Sequence, residues 1–346
     1  MTDAVAVDED WKLVLDEDLP TVADAFDLGE VTEAPQYLAD GLMNRNWRIG
    51  TSRGRFAVKQ IIDVPLESAR RNLQTLSALA AYGVPVCKPL TSGNGDPVAE
   101  VGDRGYCVVE WVDGVHVRGT ELSLDQATDL GERLGHIHQS LAANAPALVP
   151  AQPPLAEVTE VRQATESADR YLATIAALGS PTAFDRDVAD ALEQRKQLLA
   201  KYAGLRPASD VPAGPYGWTH GDFQYRNILR RGGQVAAVLD WDRLGVRPYA
   251  EEVTRTAQVQ FGVEGTFDLE RVRAFVTGYR RVVDLSTADL ADGVWRLWWK
   301  RMTDFWQLSF HYKRGDHGFD GLFLDDEALL RWWTDRLDEV QDAMAG

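Results

Sequence analysis

The chain has 346 residues, 45% hydrophobic and 26% charged, a balance that excludes a disordered chain and suits two domains or one large bilobal unit. Its formal net charge of −17, with no basic patch in the sequence, argues against a nucleic-acid partner and weakly favours a cationic ligand. Cys87 and Cys107 form no CxxC or Cys/His cluster, and with no long apolar stretch and no basic leader the expectation is a cytoplasmic protein without disulfide, zinc or membrane span.

In chain order, residues 16–27 are predicted as a short amphipathic helix, and NWRIGTSRGRFAVKQI as two strands joined by a Gly-containing turn. LESARRNLQTLSALAAYG carries Leu73, Leu76, Leu79 and Ala80 at helical spacing and stops at Gly83. Strands follow at about 97–101 and 105–112, the second containing YCVVEWV. A shift to helical patterning at Asp113–Gly114 predicts a β-rich unit over 1–112 and a helical one over 113–346. The second unit begins with a helix at 122–143, with Leu130, Leu134, Ile137 and Leu141 on one stripe. A Pro-rich joint then leads into a helical insertion at about 150–205. A short β-rich island, WTHGDFQYRNILRRGGQVAAVLDWD, interrupts the helices, which resume from about 249.

That island holds the chemistry. His220-Gly221-Asp222 is followed five residues after the aspartate by Asn227, and the apolar strand QVAAVLDW ends at Asp240. Gly232-Gly233 is placed to turn this strand back beside the Asn227 segment, bringing carboxylates and an amide carbonyl to strand ends. One carboxylate to take a hydroxyl proton, with an Asp and an Asn as hard oxygen ligands, suits phosphoryl transfer from a magnesium nucleotide.

HGDFQYRN followed by VLDWD resembles the catalytic and metal loops of the aminoglycoside phosphotransferase family, which includes choline and homoserine kinases. The resemblance implies an α+β, bilobal protein-kinase-like fold with a β-rich N-lobe and a mainly helical C-lobe. It implies Asp222 as catalytic base, Asn227 and Asp240 as Mg²⁺ ligands, and ATP (or GTP) as phosphoryl donor. Lys59, charged within the strand RFAVKQI, matches the kinase strand lysine that holds nucleotide phosphates. ADGLMNRNWRIG stands where the glycine-rich loop belongs and resembles the Gly-x-x-Asn-x-Asn-aromatic pattern of homoserine-kinase-like members. There Gly41, Asn44 and Asn46 either admit backbone N–H groups to phosphate oxygens or form a plain β-turn. YCVVEWVDG resembles the interlobe hinge of this family, which implies that the backbone of Glu110, Trp111 and Val112 meets adenine; otherwise it is a buried strand ending at the turn Asp113-Gly114.

One departure concerns the acid that kinases place on the following helix to pair with the strand lysine. Here the matching position is Asn72, which leaves Glu67 or Asn72 as the partner of Lys59 and makes Asn72→Glu a substitution expected to be tolerated. On the acceptor side, residues 295–310 place aromatic side chains on one broad helical face, which reads chiefly as core with Trp306 at its edge. Asp242, Asp304 and Asp316 are candidate anchors for a substrate amine. His311 and His317, six residues apart, are assigned no metal.

The functional expectation is an ATP-dependent O-phosphotransferase acting on a hydroxyl of a small, cationic acceptor of the aminoglycoside or amino-alcohol type. A metabolic homoserine, choline or sugar kinase of the same family is the alternative within this class. A non-catalytic nucleotide-binding protein is the alternative outside it, supported by the absent helix glutamate alone.

Overall fold

The computed structural model describes residues 10–39 and 43–345, in two compact units. One unit contains the chain to His116 together with Ser140–Pro150 and Asn227–Leu244; the other contains Val117–Gln139, Ala151–Arg226 and Gly245 onward. The β-rich island is therefore divided, with Asp222 in the second unit and Asn227 and Asp240 in the first. Among the described residues no helix is long and apolar enough to cross a membrane.

The first unit is built on a five-stranded antiparallel sheet of β1 (Gln36–Tyr37), β2 (Arg45–Thr51), β3 (Gly54–Ile61), β4 (Ala99–Val101) and β5 (Arg104–Glu110), in the order β1-β2-β3-β5-β4. Alternation along the strands sorts its two faces. Trp47, Ile49, Val58, Tyr106 and Val108 pack with Leu15, Leu19 and Val22 of helix α1 (Asp10–Ala25). Ile61 and Cys107 belong to a second cluster, with Ala69 and Leu73 of helix α2 (Leu66–Ala81). Helix α1 begins earlier than the hydrophobic pattern alone placed it. Its buried Asp18 accepts a hydrogen bond from the Tyr106 hydroxyl at 2.6 Å and pairs with Arg104 at 2.9 Å, which satisfies a carboxylate placed inside an apolar layer.

A hairpin distant in sequence joins this unit. Strands β7 (Ile228–Arg231) and β8 (Gln234–Val238) turn at Gly232 and Gly233, both at positive φ, as the Gly-Gly pair predicts. Val115 and Arg230 exchange two backbone hydrogen bonds of 2.9 Å, and Val238 N–H donates to the Pro85 carbonyl at 2.7 Å. Asn72 of α2 is buried and donates to the Trp241 carbonyl at 3.0 Å, while its carbonyl oxygen accepts from Arg71. Helix α2 thus grips the segment just after β8.

The second unit is helical: α3 (Leu124–Asn144, through Gln139), α4 (Val161–Ala176), α5 (Ala183–Tyr202), α6 (Tyr249–Phe261), α7 (Leu269–Arg280), α8 (Thr287–Thr303), α9 (Trp306–Ser309), α10 (Asp320–Thr334) and α11 (Leu337–Ala345). Its short strands are β6 (Tyr216–Thr219) paired with β9 (Gly245–Pro248), and β10 (Gly262–Val263) paired with β11 (Thr266–Phe267). Helices α3 and α7 cross closely because a Cβ at Gly131 would strike the Phe275 carbonyl, and one at Gly278 the Thr128 carbonyl. The aromatic stripe is not one helix, since α8 ends at Thr303 and α9 starts at Trp306. Buried Arg195 fixes the break by donating to the carbonyls of Met302 and Asp304 at 3.1 and 3.0 Å, with Glu327 as its counter-ion. Trp298, Trp299 and Met302 are core residues, as their spacing predicts.

Four groups hold the chain around Asp222. Glu252 of α6 accepts from the backbone N–H groups of His220 (3.2 Å) and Gly221, and from His138 Nε2 at 2.6 Å. The Tyr279 hydroxyl lies 2.8 Å from His138 Nδ1, and Tyr249 stacks on the His138 ring at 4.6 Å. Burial pushes the Glu252 carboxyl upward, but the His138 hydrogen bond, the His138 and His220 rings and the Gly221 N–H outweigh it and hold it below the usual carboxylate range.

Two variants test these anchors. Asn72→Glu removes the donor to the Trp241 carbonyl and sets a buried carboxylate, beside Arg71, against that carbonyl oxygen, so it is expected to destabilise by about 1–3 kcal/mol, read from urea unfolding midpoints. The sequence expectation of tolerance rested on position 72 facing Lys59, whereas its side chain meets the Trp241 carbonyl, so this prediction replaces it. A depressed native pKa makes the Glu252 contribution complete above its unfolded value of about 4.3, with loss as pH falls through the native value. Glu252→Gln should lower stability at neutral pH, and the deficit should shrink on acidification below about pH 4.

Candidate active site

In the first unit the site is organised by Lys59. Its place in β3, between Val58 on the α1 face and register partner Cys107, directs it to the α2 side of the sheet. The ammonium lies 2.6 Å from Asp242 Oδ2 and 3.3 Å from Asp240 Oδ1. Burial disfavours its charge, but Asp240 and Asp242 more than compensate and its pKa is raised. The adjoining Cys107 thiol is pushed up to about 11 by burial, so it is a neutral neighbour at pH 7.

Asn44 ties this cluster to the sheet. Its Nδ2 donates to Asp242 at 2.8 Å, and its Oδ1 accepts from the backbone N–H groups of Ile62 and Asp63 at 2.8 and 3.1 Å. Asn46 stands opposite Lys59 in β2, with its amide 3.4 Å from the Asn44 carbonyl. Both asparagines are therefore engaged within the protein, where the sequence left a phosphate cradle open. Gly41 lies outside the described residues.

Asp240 adopts a left-handed backbone at φ 53°, uncommon for a residue with a side chain, and opens the turn Trp241–Arg243. Its side chain is 46% exposed. Asn227 ends the turn before β7, and its carbonyl accepts from Leu239 N–H at 2.7 Å, which sets it one residue from Asp240 at the open end of the hairpin. An amide oxygen and an accessible carboxylate are hard donors that fit Mg²⁺, an ion that keeps several of its waters.

Neither expected partner of Lys59 reaches it. Asn72 is committed to Trp241 and Arg71, and Glu67, in the first turn of α2, takes no part in the pairing. Asp242, expected at a substrate amine, is instead the closest counter-ion of Lys59. In the hinge segment, Glu110 N–H donates to Lys88 and Trp111 N–H to Arg55, at 2.9 and 3.1 Å. The Trp111 indole donates to Asp113, and Val112 makes no hydrogen bond among the described residues.

In the second unit, Asp222 Oδ1 accepts from Arg255 of α6 at 2.8 Å and Oδ2 accepts from Gln224 at 2.8 Å. Its backbone N–H donates to His220 Nδ1 at 3.1 Å, which gives His220 the loop-structuring role expected of it. Burial favours the neutral acid, but Arg255 and then Gln224 override it and hold Asp222 below the ordinary carboxylate range. A second guanidinium, Arg301 of α8, feels the Arg255 charge; its Nε donates to Gln258 at 2.9 Å and its Nη1 is 4.0 Å from Asp326. Burial raises the Asp326 carboxyl, and Gln307 donates to it at 2.7 Å.

Sequence reasoning missed Arg255, Arg301 and Glu252. The signal available for Arg255 and Glu252 was their position on the first helix after VLDWD, three residues apart, and for Arg301 a charge inside an aromatic stripe. Of the other substrate candidates, Trp306 packs edge-on against Phe310 and Phe319 at 5.6 and 5.1 Å. Asp316 caps the Gly318 N–H at 2.9 Å, and Asp304 caps that of Trp306 at 3.0 Å, so both serve turns.

Comparison with known proteins bears on the family and the fold. The family model described as the APH phosphotransferase enzyme family matches residues 36–285. A homoserine kinase of Caulobacter sp. (strain K31) is 25% identical over 293 residues, covering 80% of each chain. One of Methylobacillus glycogenes is 25% identical over 292 residues, covering 81% of this chain and 82% of its own. Among solved structures, an amicoumacin kinase in complex with AMP-PNP, Ca²⁺ and Ami superposes with a TM-score of 0.61 at 18% identity, covering 97% of this chain and 96% of that one. A spectinomycin phosphotransferase in complex with ADP and spectinomycin does so at 0.61 and 13% identity, over 94% and 97% of the chains. The α+β kinase-like fold expected from the HGD and VLDWD segments is thus the fold of this chain. This protein belongs to the APH phosphotransferase enzyme family.

Proposed function

We propose that the chain transfers the γ-phosphoryl group of ATP to a hydroxyl of a small acceptor that also carries an anionic group, such as a hydroxylated amino acid. The observation that carries this reading is the pair of charged centres just described: ammonium between carboxylates at Lys59, carboxylate against guanidinium at Asp222.

Lys59 would exchange its carboxylate partners for nucleotide phosphates, while Asn227 and Asp240 hold Mg²⁺, which neutralises charge on the phosphates when bound. Asp222, ionised at neutral pH, would accept the hydrogen bond of the acceptor hydroxyl and then its proton. A carboxylate of low basicity suffices, because phosphoryl transfer through a loose transition state asks chiefly for positioning. Lys59 is well paired without a helix glutamate, so its absence lends no weight to a non-catalytic protein.

Acceptor charge is read from Arg255 and Arg301. Asp222 and Asp326 already face these guanidiniums, which retain N–H groups outside their described hydrogen bonds to offer an acceptor carboxylate. The global charge of −17 favoured a cationic acceptor, but local groups at the site outweigh a distant acidic surface screened by salt. The likeness to homoserine kinases runs the same way.

A coupled ADP-release assay over hydroxyl compounds matched in size but differing in charge tests the reading. Turnover is expected with carboxylate-bearing members, and turnover confined to amine-only compounds would refute the acceptor class. Arg255→Gln should raise KM for such acceptors by about tenfold or more, the loss of one charged hydrogen bond. The same change removes the charge that depresses Asp222, so the acid limb of the kcat/KM profile should move to higher pH. Lys59→Met should weaken Mg·ATP binding by at least about tenfold in a calorimetric titration, since it removes the cation that faces the phosphates.

A further inference from the structure

The segment Phe310–Asp320 brings together three groups that neither the phosphoryl-transfer reading nor the sequence accounts for. His311 lies in a π-helical turn (Phe310–Arg314) that ends at Gly315 in the left-handed region, φ 67°. The returning chain places His317 and then Asp320, the first residue of α10, against it. His311 Nδ1 is 2.9 and 3.0 Å from the two Asp320 oxygens and 3.0 Å from His317 Nδ1. His317 Nδ1 is 3.4 Å from Asp320 Oδ2.

Protons alone serve this arrangement poorly. A hydrogen on His311 Nδ1 would face two carboxylate oxygens and a ring nitrogen at once, and hydrogens on both Nδ1 atoms would collide. A cation at the centre serves all three lone pairs. Tetrahedral bonds of about 2.0–2.2 Å set ligand atoms roughly 3.3 Å apart, so the observed separations need to open by only a few tenths of an ångström. On its far side the His311 ring packs on Phe184 at 4.7 Å, and Asp185, fixed by the Tyr312 hydroxyl at 2.8 Å, lies 3.9 Å from Nε2, beyond hydrogen-bond distance.

We propose that His311, His317 and Asp320 form a mononuclear site for Zn²⁺, with a fourth position left to water. Two imidazoles and one carboxylate suit a borderline cation and disfavour Mg²⁺ or Ca²⁺, which take oxygen donors. The site is separate in kind from the Asn227 and Asp240 pair. A bound ion would clasp the π-helical turn to the start of α10 and so stiffen the segment that carries Phe310 and Phe319 against Trp306. The sequence reading assigned no metal to two histidines six apart; the left-handed turn at Gly315 is what brings them together.

Calorimetric titration of Zn²⁺ into the metal-stripped full chain, with Mg²⁺ in excess to fill oxygen-donor sites, tests the assignment. His317 is two-thirds exposed, so His317→Ala leaves the fold intact and isolates the ligand. One equivalent of zinc should bind the wild-type chain, at least tenfold more weakly His317→Ala and Asp320→Asn, and zinc should raise the melting temperature of the wild type alone. Absence of zinc binding, or equal affinity in the wild type and His317→Ala, would overturn the proposal.

Discussion

An ammonium set into a β-sheet has to be compensated where it stands, and much of the first unit follows from that constraint. Lys59 keeps its charge because Asp240 and Asp242, 181 and 183 residues further on, are brought to it. Bringing them there requires the β7–β8 hairpin to fold with the N-terminal sheet, which the Val115–Arg230 and Pro85–Val238 hydrogen bonds secure. It also requires the segment after β8 to be held at both ends. Asn44 holds Asp242, Asn72 holds the Trp241 carbonyl, and Asp240 accepts a left-handed backbone to make the turn. The two asparagine ties are amide donors to part-buried or buried oxygens, so each costs more to lose than an exposed contact does.

The second unit solves the opposite problem, a carboxylate that must stay ionised while partly buried. Arg255 and Gln224 answer it directly at Asp222. Glu252 answers it indirectly by gathering the His220 and Gly221 N–H groups, with His138 and Tyr279 behind it. The result is an ionised carboxylate of low basicity in a fixed place. That combination matches phosphoryl transfer, where positioned charge contributes more than proton affinity.

What could be read from sequence was what is local. The β2–β3 hairpin, the helix after it, the Gly232-Gly233 turn and the HGD-x-x-x-x-N segment each declare themselves within a dozen residues. Lys59 was legible because a charge inside RFAVKQI breaks the apolar pattern of a strand. Its partners were not, because strand pairing says nothing of which distant carboxylate approaches; Asp242 was assigned to the acceptor and Asn72 to the lysine. The aromatic stripe misled differently. Its helical spacing continues across Asp304, while the chain breaks there because Arg195, from a helix a hundred residues earlier, takes the terminal carbonyls. Net charge averages over a surface and is blind to the single arginine set against Asp222.

The account stands or falls on Asp222 as the group that receives the acceptor's proton. The most direct measurement is phosphorus NMR of the product formed from Mg·ATP and a carboxylate-bearing hydroxyl acceptor, followed in parallel for the wild-type chain and Asp222→Asn. The wild type should build a phosphomonoester resonance in step with ADP, and Asp222→Asn, still folded and still binding Mg·ATP, should do so about 10²–10⁴-fold more slowly. Product formation by Asp222→Asn at close to the wild-type rate would contradict it.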